Sequence, residues 1–383
     1  MSIRLSLLLA VSALAAGTQL SHSHEETRYR TAVHFPDVPG YITLKCDFHI
    51  HTVFSDGLVW PTVRSEEAWR EGLDAIAITD HIEYHPHHAD MPTNHNRAYQ
   101  LANTAGKDLS LMVVHGSEIT RSMPPGHLNA IFLTNSDPLD TTNWHDAVAA
   151  AHDQKAFIFW NHPGWERQQS NGVTVWYPEH TQLLEEGMLH GIEVVNTREY
   201  YPEAHRWAIE KKLAMLSNSD IHQPLNLDYH VHEGDHRPLT IVFAKARSQE
   251  SLREALFERR TAVYSGNRLI GDEQFLRPIF EGSIKLDRSA VTLKGKKSVL
   301  VQISNSSDVA YEMELIRPVG GCDAPRRLTL VANSTVILEL KANPKSTSSE
   351  TSLRYKVSNL LVGPDQPMEV GLPLAITVAA KDQ

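Results

Sequence analysis

The chain has 383 residues, 41% of them hydrophobic and 21% charged, with a formal net charge of −10. That length exceeds one average domain, and the apolar share is ample for a buried core. The negative balance argues against a nucleic-acid polymer or an anionic membrane surface as partner. All 22 histidines and all seven tryptophans lie at or before His236, so the last third is a compositionally different unit. At the N-terminus, Arg4, an apolar run over residues 5–16 and the small-x-small site Ala13-Leu14-Ala15 have the form of a secretion signal. They predict a signal peptide over residues 1–16 and a periplasmic or secreted protein. The run is too short to span a bilayer, so no integral membrane association is expected. Cys46 and Cys322 fall in different units and predict no disulfide.

From residue 41 to 271, short apolar runs (42–48, 75–78, 109–115, 128–133, 156–160, 192–195, 213–216) alternate with helix-compatible stretches such as 62–72, 146–155, 179–187 and 204–212. The runs are near-continuous, as for strands buried on both faces of a parallel sheet. Seven such repeats favour an α/β barrel over an open sheet. A strand over 239–244 and a helix over 250–260 follow. From about 280 to 383 the text changes to short, partly alternating strands separated by Gly295-Lys296, Asn305-Ser306, Gly320-Gly321 and Asn343-Pro344. That is the pattern of a small all-β sandwich.

The chemistry gathers where the apolar runs end. In Asp47-Phe48-His49-Ile50-His51-Thr52, His49 and His51 are two apart, so on a strand both reach one metal. Asp56 lies just beyond, where the loops of a barrel's active face sit. Thr79-Asp80-His81 closes the second run, with Asp80 suited to supporting ligands or capping a helix. Gly116-Ser117-Glu118 is placed after the third run, and Glu118 is the choice for a carboxylate bridging two cations. His127 opens the fourth run, His162 follows the fifth in Asn161-His162-Pro163-Gly164, and Asp220 and His222 share one face of Ser219-Asp220-Ile221-His222. Nitrogen and oxygen donors without thiolate suit Mn, Fe or Zn, and nine candidates are too many for one tetrahedral ion, so two or three divalent metals are expected.

Taken in order, these motifs between residues 44 and 266 make the chain resemble the polymerase and histidinol phosphatase (PHP) family. The resemblance implies a distorted seven-stranded β/α (TIM-like) barrel, a two- or three-metal centre and phosphoester hydrolysis. Carried over position by position, it makes His49, His51, Asp56, His81, Glu118, His127, His162, Asp220 and His222 the metal ligands. Asp56 matches members with Asp there, whereas others have histidine. Amidohydrolases also open with His-x-His on a first strand, but no bridging-lysine signature is present here.

The function expected is an exported phosphomono- or phosphodiesterase acting on a small phosphorylated substrate. Its catalytic residues would be Glu118 with His222 or His81, one of the two histidines protonating the leaving alkoxide. Phosphate needs cationic donors beyond the metals, and Arg121, Arg198 and Arg268 follow strand ends suitably, as does Arg167. The alternatives are a metal-dependent hydrolase of C–N or C–O bonds and a non-catalytic metal-binding protein. His85, His87 and His88 are expected in solvent, and His115 is expected to pack outward.

Overall fold

The computed structural model describes residues 28–379 apart from 296, 344 and 346–351, so the expected signal segment lies outside the described residues. Among the described residues no helix is long and apolar enough to cross a membrane. Seven strands form the barrel: β1 (Ile42–Asp47), β2 (Ala75–Ile78), β3 (Met112–Ile119), β4 (Leu128–Ile131), β5 (Phe157–Trp160), β6 (Gly191–Asn196) and β7 (Ala214–Asn218). Helices α1 (Pro61–Arg70), α2 (Arg97–Asp108), α3 (Trp144–Asp153), α4 (Pro178–Glu185) and α5 (Pro202–Glu210) lie between them in the chain.

The sheet is not wholly parallel. β4 runs antiparallel to both β3 and β5. Only residues 120–127 separate β3 from β4, too few for a crossover, which takes a dozen or more residues. The same pairing lengthens β3, with Gly116 opposite Ile131 and Glu118 opposite Asn129. Glu118 therefore sits on the strand rather than after it.

The barrel closes only at its mouth. Beyond their ladders, β7 and β1 meet where Asp220 N–H donates to His49 C=O (2.9 Å) and His51 N–H to Ile221 C=O (3.1 Å). Lower down, β8 (Leu239–Ala244) pairs antiparallel with β1 and wedges the two apart. There Thr240 Oγ1 accepts from Ser217 N–H (2.9 Å) and donates back to Ser217 C=O (2.9 Å), substituting a side chain for the missing ladder. Phe48, Ala77, Val114, Phe157, Phe159 and Leu216 fill the space below the mouth, closed by Leu252 and Leu256 of α6 (Gln249–Phe257).

The sheet continues through β9 (Thr261–Ser265) and β10 (Arg268–Gly271), two strands not expected from the sequence. Their hairpin turns on Gly266 (φ 54°) and Asn267 (φ 61°), two left-handed residues in the geometry that tight hairpins prefer. α7 (Glu273–Ser283) spans the expected boundary at 280, so the all-β unit begins at Ile284. Its strands enclose Val301, Ile303, Tyr311, Met313, Leu338, Leu340, Tyr355 and Val357. Arg354–Gly363 pairs in parallel with β10, and Phe275, Ile279 and Phe280 join the two cores into one apolar cluster. Cys46 and Cys322 are buried and unbridged.

Candidate metal centre

Each strand end delivers its donor by a local device. Ile50 packs outward with Ile76, Ile78, Ala68 and Ala102, which turns His49 and His51 to the opposite side. Asp80 accepts from Thr52 N–H (2.7 Å), Thr52 Oγ1 (2.7 Å) and Ser55 Oγ (2.7 Å), and so shapes the loop that carries Asp56. That loop folds tightly over His51: a Cβ on Gly57 would lie 2.7 Å from the His51 carbonyl carbon. His162 (φ 26°) and Asp220 (φ 52°) adopt left-handed backbone, a conformation costing on the order of 1–3 kcal/mol and concentrated at functional sites.

The structure brings all nine predicted ligands into contiguous groups: His49, His51 and Asp220; His51, Asp56, His81 and His222; His49, Glu118 and His162; His81, Glu118 and His127. Glu118 is fully buried at their centre. Its Oε1 lies 2.8 Å from His127 Nδ1 and 3.6 Å from His162 Nε2, whereas Oε2 lies 3.0 Å from His81 Nδ1, 3.3 Å from His51 Nε2 and 3.4 Å from His49 Nε2. The two oxygens thus face two different sets of imidazoles, and Oε2 has no hydrogen-bond partner.

His49 Nε2, His51 Nε2 and Asp220 Oδ1 are mutually 3.1 Å apart. Ligand atoms about 2.1 Å from one cation, at angles of about 90–110°, are separated by about 3.0–3.4 Å. The donor chemistry, the spacing and the orphaned Glu118 oxygen all fit divalent metal ions.

The electrostatics agree. Burial disfavours the Glu118 carboxylate, yet His81, His127 and His49 hold its pKa well below the usual range. Burial likewise opposes charge on His81, but Glu118 and Asp56 raise it to about 10. Burial, with His222 and His81 adjacent, pushes His51 down to about 3. The carboxylates that hold protons on these imidazoles would equally hold cations, and a bound metal displaces the proton from a ligating imidazole nitrogen.

Glu193 was concealed in the apolar run of β6. Its Oε1 accepts from His49 Nδ1 (3.0 Å) and Asn218 Nδ2 (2.9 Å), and its Oε2 from His162 N–H (2.7 Å) and Asn196 Nδ2 (2.8 Å). A carboxylate here fixes the proton on His49 Nδ1 and turns the Nε2 lone pair inward. A charged residue inside a continuous apolar strand was the available signal. Glu193→Gln must set its amide NH2 against two donors whichever way it faces. We expect metal affinity about 10–100-fold weaker, measured by titration of the metal-free protein, and unchanged affinity would exclude this role.

The arginines are elsewhere. Arg198 pairs with Asp235 (2.6 Å) and lies over the Tyr229 ring. Arg121 pairs with Glu83 (2.8 Å) and donates to Thr141 C=O (2.6 Å). Arg268 and Arg167 lie over the rings of Tyr200 and Trp165. His115 stacks on Tyr99 of α2, outside the barrel. His85 and His87 are half-buried rather than free in solvent, and His88 is exposed.

Comparison with known proteins matches residues 284–373 to an Ig-like domain family. No curated protein matches the chain. A crystal structure from Bacteroides vulgatus ATCC 8482, of a two-domain protein containing a predicted PHP-like metal-dependent phosphoesterase, is 44% identical over 90% of this chain and 99% of that one, with a TM-score of 0.85. A candidate metal-dependent phosphoesterase of Bifidobacterium adolescentis ATCC 15703 is 17% identical over 46% of this chain and 87% of its own, with a TM-score of 0.38. The first likeness runs over nearly the whole of both chains, and on that ground the chain belongs to the two-domain proteins containing a predicted PHP-like metal-dependent phosphoesterase, its second domain being Ig-like.

Proposed function

We propose that the protein is an exported hydrolase of small phosphoesters working through two or three Mn, Fe or Zn ions. The observation that carries this reading is Glu118, buried, with each oxygen turned to a different set of imidazoles. Divalent ions held there supply Lewis-acid charge for the phosphoryl oxygens and lower the pKa of water. His49, His51 and Asp220 would hold one ion and His51, Asp56, His81 and His222 another nearer solvent, while Glu118 would share in the groups it makes with His49 and His162 and with His81 and His127.

His222 is the better placed of the two candidate acids. Its side chain is 32% exposed against 7% for His81, and its Nε2 lies 3.2 Å from Asp56 Oδ1. When His222 is not holding an ion, a proton on that nitrogen is reachable by a leaving alkoxide, and Asp56 favours its presence. Of the arginines expected to bind phosphate, Arg121 is linked to the cluster, through Glu83 and Thr120 to His81. The sequence of residues 1–16 supports export, which cell fractionation would test.

The activity is tested with phosphomonoesters, phosphodiesters and amides on the full chain. The expected result is metal-dependent hydrolysis of phosphoesters, abolished by a chelator and restored by Mn, Fe or Zn. Turnover of amides in preference to phosphoesters would reverse the assignment.

A further inference from the structure

A cavity of about 480 Å³ opens beside the metal centre, lined by Glu83, His85, Thr93, His95, Arg121 and Thr141 among others. Its walls follow the ends of β2 and β3 and precede α3, so all come from the mouth side of the barrel. One hydrogen-bonded residue, Thr120, links it to the centre. Glu83 Oε2 accepts from Thr120 N–H (2.8 Å), and Thr120 Oγ1 lies 2.6 Å from Nδ1 of the ligand His81.

The polar groups lining this cavity are incompletely satisfied. The His95 side chain is only 9% exposed, and its Nδ1 has no hydrogen-bond partner. Arg121 Nε and Glu83 Oε1 are buried without hydrogen-bond partners as well, although the two side chains form an ion pair. An apolar occupant would leave these donors and acceptors unmatched. A second anionic group would meet Glu83 and Asp140, and a cationic one would meet Arg121. A neutral group bearing several hydroxyls answers both, because each hydroxyl donates and accepts.

We propose that this cavity receives the alcohol portion of the substrate, and that the alcohol is polyhydroxylated, as in a sugar phosphate. The inference rests on the phosphoesterase reading and adds the substrate class to it. The scissile phosphate lies at the ligand cluster, and the polyol extends past His81 toward His95 and Arg121.

The test compares glucose 6-phosphate with n-butyl phosphate on the metal-loaded full chain. We expect kcat/KM to favour the sugar phosphate by at least about tenfold, within the range that matched hydrogen-bonding groups provide. His95→Leu should lower that preference by about fivefold or more, chiefly through KM, and His95→Gln, which keeps a hydrogen-bonding group, should recover part of it. Equal kcat/KM for the two substrates in the wild type overturns the proposal and leaves the phosphoesterase reading standing. So does an equal loss on both substrates in His95→Leu. Failure to hydrolyse any phosphoester overturns the phosphoesterase reading, and this proposal with it.

Discussion

Glu118→Gln is expected to lower phosphoester turnover at least about a hundredfold, equivalent to about 2.7 kcal/mol of transition-state stabilisation, while the protein stays folded. Gln has nearly the same shape, and Asn161 Nδ2, which donates to Glu118 Oε1 at 2.9 Å, can still find an acceptor there. What the substitution removes is the negative charge between the two sets of imidazoles. With it goes the reason for two cations to sit close together. Circular dichroism should be unchanged and metal content reduced. A variant retaining more than about a tenth of wild-type activity would lose less than about 1.4 kcal/mol, and the bridging assignment would then be wrong.

The largest loss of stability is expected from Arg237→Ala, at about 3–5 kcal/mol. Arg237 is fully buried beneath the centre, with Nη1 3.0 Å from Asp47 Oδ2 and Nε 2.7 Å from Glu71 Oε2. Asp47 in turn accepts from Ser219 N–H (3.1 Å) and Ser219 Oγ (2.5 Å), just before Asp220 and where β7 and β1 close the mouth. Removing the guanidinium leaves two buried carboxylates facing each other without a cation, so chemical denaturation should show the loss directly. A loss under about 1 kcal/mol would mean that solvent reaches this cluster easily. The same variant should also lose metal, because Ser219 and Asp220 are held in place through Asp47.

The cluster of candidate ligands was legible because each follows or opens an apolar run, and a barrel brings such positions together whatever their separation in the chain. His49 and Asp220 are remote in sequence yet adjacent across the closure of the mouth. Glu193 was legible only as a charge out of place in the buried strand Ile192-Glu193-Val194-Val195, and nothing near it in the chain announced its partners His49 and His162. Strand direction was also hidden: residues 128–131 are as apolar as a parallel strand would be, and only the short connection from Ile119 betrays the reversal. The partners of the arginines are set by surface loops, so nothing near Arg198 in the chain announced Asp235. The Gly266-Asn267 turn did carry a hairpin signal, and with it β9 and β10.

The junction of the two units was legible only in composition. The change after His236 marked a second unit, but not that Arg354–Gly363 would extend the barrel's sheet beside β10. The shared cluster of Phe275, Ile279, Phe280 and Tyr311 means that a barrel cut near Asp272 would expose apolar surface.

The most direct test of the central claim is elemental analysis of the purified, active, full-length protein. Four overlapping donor groups sharing Glu118 and three of the histidines predict at least two equivalents of Mn, Fe or Zn per chain. A single tightly held ion in fully active protein would contradict the multinuclear centre.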